Sequence, residues 1–498
     1  MNCCKKILII KISALGDVIR TNGFIKTIKE KKPEAEIYFF TNVYYSEILK
    51  LSPYIKEVIK YPRHLFANVI FDNTKNFEEK YRIIYTFLKN IQKNNFDEIY
   101  DFTNTNESVF ISTFLSNYQF ERINGFYINK NFNLKTHSIY WLHFNYFYEK
   151  GIFYPLTHNQ FIKLFISDKI KECKGNYIID EQIKYRVKKF LSDNNVNEKE
   201  KIYTIQIGAA SSKRRWQKDE LIKFLKYLNT INNNPLLFIG SDIEYNYIEE
   251  IIKSGKINGL NLSNKFNLIE IATLISLSNF LFTMDTWAMH CASEFNTPFL
   301  VLEFNYTLFP IGSVESYIYY KKEIYAEEVI KIFETFFLKN KNYTNELNGT
   351  LFSYDNNIIY KYNPIINNLS ENEILNQIEG IIYLISFLET FKIQVNINFD
   401  DALYTIKKIL KSNVNYNDFI ENSITNINFD LENFINDLIN NTFIDRIKNY
   451  RNKKYFFIDL FLLNNVLDEK FYIPDVVQKQ QNYLYKIIEN YTKLKEQI

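Results

Sequence analysis

The sequence predicts an α/β protein: two consecutive units with parallel sheets, followed by a mostly helical C-terminal domain. Three observations lead there. Short apolar runs alternate with amphipathic stretches through the first third of the chain, and the same alternation restarts near residue 202. Between them, about residues 135 to 200, the signal weakens into a polar, aromatic stretch. Beyond about residue 335, strand-like runs thin out and helical periodicity takes over. Strands that alternate with helices imply parallel pairing through right-handed crossovers. The expected domains are 1–165, 195–335 and 340–498.

In the first unit, residues 7–12 read as a strand and 17–31 as a helix, with apolar residues at Val18, Ile19, Phe24, Ile25 and Ile28. Pro33 falls where that helix should stop. Residues 36–41 read as a strand, 81–95 as a helix and 96–102 as a strand. The charged run 195–201 closes the linker. In the second unit, 202–207, 235–240, 280–284 and 298–303 read as strands. The stretches 218–229, 243–253, 268–278 and 287–294 read as helices. Long helices are expected at 372–391, 399–412, 429–440 and 476–497.

Composition narrows the function classes. Of the 498 residues, 46% are hydrophobic and 23% charged, which excludes wholesale disorder. Lys+Arg 60 against Asp+Glu 57 leaves a net charge of +3, too balanced for a dedicated binder of nucleic acid or anionic membrane. No run reaches the roughly 18 apolar residues of a membrane span. The start, Met1 to Lys6 and then a short apolar run, lacks the core of a signal peptide, so a cytoplasmic protein is expected. Cys3, Cys4, Cys173 and Cys291 make neither a disulfide scaffold nor a paired metal spacing, and no metal is expected. Tyr 38 and Phe 44 are high while Gly 12 and Pro 9 are low, a pattern AT-rich coding explains without ligand stacking.

In open α/β sheets, ligands bind beyond the carboxyl ends of the strands. Three loops there hold clustered polar residues. The first is Ser13-Ala14-Leu15-Gly16-Asp17, in which Gly16 permits close approach of a ligand. Asp17 reads either as a helix N-cap or as a general base for a substrate hydroxyl. The second runs from Gly208 to Trp216, with Ser211, Ser212, Lys213, Arg214 and Arg215 inside it. It reads either as a solvated basic loop or as a phosphate cradle of backbone donors and cations. It lacks Walker A spacing. The third is Asp285-Thr286-Trp287-Ala288-Met289-His290. Asp285 or Thr286 can cap a helix, and His290 reads either as structural or as a charge-assisted phosphate donor near that helix N-terminus.

In this order, Ser-x-x-Gly-Asp, then Gly-Ala-x-Ser…Arg-Trp, then Asp-Thr-x-x-x-His, the loops resemble glycosyltransferase family 9, the bacterial ADP-heptose:lipopolysaccharide heptosyltransferases. The likeness includes residues 6–11, 96–101, 261–272, His290 to Ser293 and Thr297-Pro298, and covers roughly 5–305. It implies a GT-B fold, with two Rossmann-like domains facing across a cleft. It also implies an inverting, metal-independent transfer with no cofactor besides the nucleotide-sugar co-substrate, expected to be ADP-heptose. Carried over by residue, Asp17 is the catalytic base. Ser211, Ser212, Arg214, Glu244, Asp285, Thr286 and His290 bind the donor, and the backbone at Ser13, Gly16 and Gly208 lies near the ligand. The implied acceptor is a glycan, glycolipid or protein hydroxyl, with peripheral inner-membrane contact expected from the family. Trp287 stands where the family has Gly, and Ala210 where a hydroxyl is usual. These departures keep two alternatives open: an inactive binding module of the same fold, or a nucleotide-sugar epimerase or hydrolase. The C-terminal domain lies outside the likeness and is expected to hold a partner that the residues do not name.

Overall fold

The structure is a computed structural model that describes residues 4–132, 134–136, 138, 141, 158–166, 175–208, 215–304, 316–340, 342–343, 346, 350–354, 362–366, 371–390, 421, 425 and 473–497. The first unit contains β1 (Lys6–Ile10), β2 (Glu36–Asn42), β3 (Ile55–Tyr61), β4 (Glu98–Asp101) and β5 (Ile123–Asn124). They form one parallel sheet in the order β3-β2-β1-β4-β5. A small antiparallel pair, β6 (Phe126–Ile128) and β7 (Leu134–Thr136), follows it.

The second unit is built on β8 (Tyr203–Gln206), β9 (Leu236–Phe238), β10 (Gly259–Asn261), β11 (Phe280–Met284), β12 (Phe299–Glu303) and β13 (Ser316–Tyr320). The sheet order is β10-β9-β8-β11-β12-β13, all parallel. Two antiparallel strands, β14 (Thr350–Tyr354) and β15 (Tyr362–Ile366), extend it.

β1 shows why these sheets form. Ile7 and Ile9 face one layer, with Phe24, Ile25 and Ile28 of the helix Asn22–Lys31. Leu8 and Ile10 face the other, with Leu88, Ile111 and Leu115. A central parallel strand covered on both faces must be apolar at every position, and the run Ile7 to Ile10 is. In the second unit, Tyr203 and Ile205 pack against Phe224, Leu225 and Phe282 on the outer face. The alternate residues of β8, Thr204 and Gln206, are buried and polar, and turn toward the other layer.

Several expectations need correction. The helix expected over 17–31 is two helices, Leu15–Arg20 and Asn22–Lys31. At the break, the Thr21 hydroxyl donates to the Asp17 carbonyl at 2.7 Å, and buried Asn22 accepts from Ser52 Oγ at 2.7 Å. The helix expected over 81–95 begins earlier, as Phe77–Gln92, because Asn76 and Glu79 form a capping box. β3 and the helices Arg63–Phe71 and Asn106–Leu115 went unread.

The helix Glu181–Asp193 falls in the expected linker, yet packs with the second unit through Phe190 against Phe266, ring centroids 4.9 Å apart. The sheet also runs past residue 335 into β14 and β15, so the change to helices falls later than expected.

In the C-terminal region the helices Glu371–Thr390 and Ile473–Gln497 are present and pack together. Tyr483 donates to the Tyr383 carbonyl at 3.2 Å, and Asn490 to Ser386 Oγ at 3.0 Å. The helices expected at 399–412 and 429–440 lie outside the described residues. No described helix is long and apolar enough to cross a membrane.

Ile9 is fully buried at the centre of the first sheet. Ile9→Ala is expected to cost about 2–5 kcal/mol of unfolding free energy, read from denaturant titration. A loss under about 1 kcal/mol contradicts this packing.

Candidate functional site

Strand order decides where a ligand fits. In the first sheet the connections diverge between β1 and β4, and in the second between β8 and β11. Crevices open beyond the carboxyl ends of strands at such switch points. The loops after β1, β8 and β11 flank these two points, and the units meet there.

The helix Leu15–Arg20 packs directly on the helix Trp287–Phe295. Gly16 lies flush against the His290 ring: a Cβ there would overlap His290 Cδ2 and stand 3.0 Å from Nε2. Residues 175–180 strap the units together. Gly175 N donates to Glu294 Oε2 at 2.7 Å, the Tyr177 hydroxyl to the Ile19 carbonyl at 3.3 Å, and Ile178 N to the Leu51 carbonyl at 2.8 Å.

On the first unit's side, Asp17 is not the helix cap. Ala14 occupies that position without a side-chain bond, and Asp17 sits in the first turn. Its carboxylate is half-buried and clasped by two cations, Lys11 Nζ at 3.0 Å from Oδ2 and the Arg20 guanidinium at Oδ1. Ser13 is half-buried on the same loop.

Lys11 is itself buried and also donates to the Phe102 carbonyl at 2.9 Å. Fully buried Asp101 accepts from Thr103 N at 2.9 Å and Asn104 N at 3.3 Å. Burial pushes its carboxyl up to about 6, against the opposing pull of Ser108, these amides and the Lys11 charge.

On the second unit's side, a cluster of hydroxyls and one amide sits at the ends of β8 and β11. Gln206 Oε1 accepts from Thr283 Oγ1 at 2.9 Å and Thr286 Oγ1 at 3.0 Å, and Gln206 Nε2 donates to the Gly208 carbonyl at 3.0 Å. Thr286 also caps the helix Trp287–Phe295, accepting from Ala288 N at 3.3 Å. Asp285 precedes it, half-buried, and Trp287 packs against the apolar cluster shared by both units.

Glu244 lies over Gly208, where a Cβ would run into its Oε1. Its Oε2 accepts from Ser241 N at 2.7 Å and Ser241 Oγ at 2.9 Å. Ser211, Ser212 and Arg214 lie outside the described residues. The loop's far end is anchored by Trp216, whose indole N–H donates to the Ile324 carbonyl at 2.8 Å. Arg215 stands 4.8 Å over the Tyr247 ring.

His290 is buried, and its Nδ1 has no hydrogen-bond partner among the described residues. Burial, aided by the Arg20 charge, holds the ring well below the usual histidine range, with Asp17 pulling the other way. That direction favours the uncharged imidazole in the ligand-free protein. Among the described residues no group of three or more His, Cys, Asp or Glu side chains is arranged to hold a metal ion.

The arrangement can present a carboxylate from one unit beside a capped helix N-terminus from the other. Sequence reasoning brought forward Asp17, Thr286, His290, Glu244 and Gly208. It missed Lys11, Arg20, Asp101, Gln206 and Thr283. A lysine and a glutamine ending otherwise apolar strand runs were the available signal.

Two outcomes follow from this geometry. Gly16→Ala is expected to force His290 and the Leu15–Arg20 helix apart, lowering Tm by several degrees in a thermal scan, while an unchanged Tm contradicts the close contact. For Asp101, the folded carboxyl titrates near 6 and the unfolded one near the ordinary 3.8. Between those values the folded state binds more protons, so its stability falls as pH rises. Asp101→Asn removes that fall, gaining on the order of 2 kcal/mol at pH 7 over pH 4 relative to wild type in denaturant titrations.

Known proteins resemble this chain over its two α/β units. Residues 84–307 match the model of glycosyltransferase family 9 (heptosyltransferase). Lipopolysaccharide heptosyltransferase 1 of Campylobacter coli is 25% identical over 308 residues, 60% of this chain and 83% of the relative. The structure of a family 9 glycosyl transferase from Veillonella parvula DSM 2008 superposes with a TM-score of 0.53 at 16% identity, covering 68% of this chain and 98% of that one. The E. coli ADP-heptose lps heptosyltransferase II gives a TM-score of 0.49 at 15% identity, over 67% and 99%.

Proposed function

We propose that the chain, whose residues 84–307 match the glycosyltransferase family 9 model, transfers heptose from ADP-heptose to a hydroxyl of a lipopolysaccharide core, with inversion and without a metal. The observation that carries this reading is the meeting of Asp17 with the N-terminal end of the helix Trp287–Phe295 across the two units.

In the proposed step the acceptor oxygen attacks the anomeric carbon from the face opposite the diphosphate. The new C–O bond forms as the bond to the leaving phosphate oxygen breaks. The hydroxyl proton passes to the Asp17 carboxylate, and ADP leaves with the bonding pair. Asp17 is a general base whose placement saves the entropy of bringing a base to the hydroxyl.

Negative charge grows on the diphosphate as the bond breaks. The dipole of the helix N-terminus that Thr286 caps and the N–H of the His290 ring meet that charge. A neutral His290 still donates one N–H, and a bound diphosphate would raise its affinity for a second proton. Glu244, next to Gly208, accepts from the ribose hydroxyls. Ser211, Ser212 and Arg214 complete the donor side on the strength of the resemblance alone.

The test uses ADP-heptose with lipopolysaccharide from a heptose-deficient strain, following ADP release and the acceptor's mass. Asp17→Asn is expected to lower turnover about 100-fold or more while ADP affinity, read by calorimetry without metal, is kept. His290→Ala is expected to weaken ADP about tenfold. Normal turnover in Asp17→Asn removes the base, and no heat with ADP removes the donor site.

A further inference from the structure

The polar groups behind Asp17 are more ordered than a solvent-facing base requires. Asp17 Oδ2 meets Lys11 Nζ at 3.0 Å, and the same ammonium donates to the Phe102 carbonyl at 2.9 Å. Lys11 is therefore fixed to the residue that follows β4 as well as to its own strand end, where its backbone N–H donates to the Phe40 carbonyl at 3.0 Å. The loop after β4 is fixed in turn. Thr103 Oγ1 accepts from Ile12 N at 2.8 Å, and Asp101 Oδ1 holds Thr103 N and Asn104 N.

Arg20, the other cation on Asp17, rides on Asp17's own helix, one turn away. It moves with Asp17 and cannot fix it relative to the sheet. Lys11 can. The side chain of Lys11 is 8% exposed, so solvent screens its charge weakly at the carboxylate.

We propose that Lys11, anchored to the Phe102 carbonyl just past β4, is the positioning residue of the transfer reaction: it aims the Asp17 carboxylate at the acceptor hydroxyl and keeps it ionised. This rests on the reading of Asp17 as the proton acceptor. Asp101 is the buried counter-anion behind Lys11, and the Lys11 charge is among the causes that lower its otherwise raised carboxyl. The charged or titratable groups that face Asp17 include Lys11 from the strand end, Arg20 from its own helix and His290 from the facing helix. Burial favours a neutral His290, so loss of Lys11 leaves Arg20 as the one cation among these three.

The experiment compares Lys11→Met and Lys11→Gln with wild type. Lys11→Gln keeps a donor for the Phe102 carbonyl, so it serves if Lys11→Met does not fold. The Asp17 carboxyl is titrated by 13C NMR with Asp17→Asn assigning its signal, which needs no substrate. In both variants the Asp17 midpoint is expected to rise by about 1 pH unit or more. With ADP-heptose and heptose-deficient lipopolysaccharide, kcat is expected to fall about 10–100-fold. The acid limb of the pH profile should move up with the NMR midpoint, ADP affinity should stay unchanged, and Lys11→Arg should restore most of kcat.

An unchanged Asp17 midpoint and unchanged kcat in the folded variants overturn the inference while leaving Asp17 as base. Retained turnover in Asp17→Asn instead overturns the base reading, and with it the catalytic part of this inference, whatever the NMR midpoint does.

Discussion

The contact between Gly16 and the His290 ring is the constraint on which the site depends. A glycine is required there because any side chain would overlap the imidazole. That absence of a Cβ lets the helix Leu15–Arg20 lie on the helix Trp287–Phe295. The two sheets thereby bring their switch points to one place. The apolar cluster that includes Val18, Ile19, Ala288 and Met289 holds the contact from below, and residues 175–180 hold it from the side.

Charge is divided unevenly across this junction. The first unit supplies formal charges in pairs: Asp17 with Lys11 and Arg20, and Asp101 behind them. The second unit sets the neutral groups of Gln206, Thr283 and Thr286 and the buried His290 ring beside the carboxylates Glu244 and Asp285. A diphosphate leaving group suits the second side, where fixed dipoles at the helix N-terminus gain as its charge grows. A proton transfer suits the first, where a half-buried carboxylate lies against the buried Lys11 ammonium.

Much of this was legible in the sequence for physical reasons. The run Ile7 to Ile10 must be a doubly covered strand, and the alternation after residue 202 must be a second parallel sheet. Asp17, Thr286 and His290 stood out because they follow such strands. What stayed hidden depended on contacts far apart in sequence. Lys11 reaches Phe102 across 91 positions, and Thr283 meets Gln206 across 77. β3 was missed because it is an edge strand whose exposed positions carry Lys56, Glu57 and Lys60. β14 and β15 were missed because aromatic and polar residues fill them without a clean alternation. The charge state of His290 follows from burial, which no local pattern reveals.

The helices Glu371–Thr390 and Ile473–Gln497 lie beyond the family match, so the account of the reaction stands on residues 4–304. Its central claim is that both switch points serve one ligand-bearing crevice. The most direct measurement is a crystal structure of the protein with ADP. The account predicts the diphosphate against Thr286 and the N-terminal end of the helix Trp287–Phe295, with the ribose at Glu244 and the terminal phosphate facing Asp17. ADP bound elsewhere, or bound with its terminal phosphate directed away from Asp17, would contradict it.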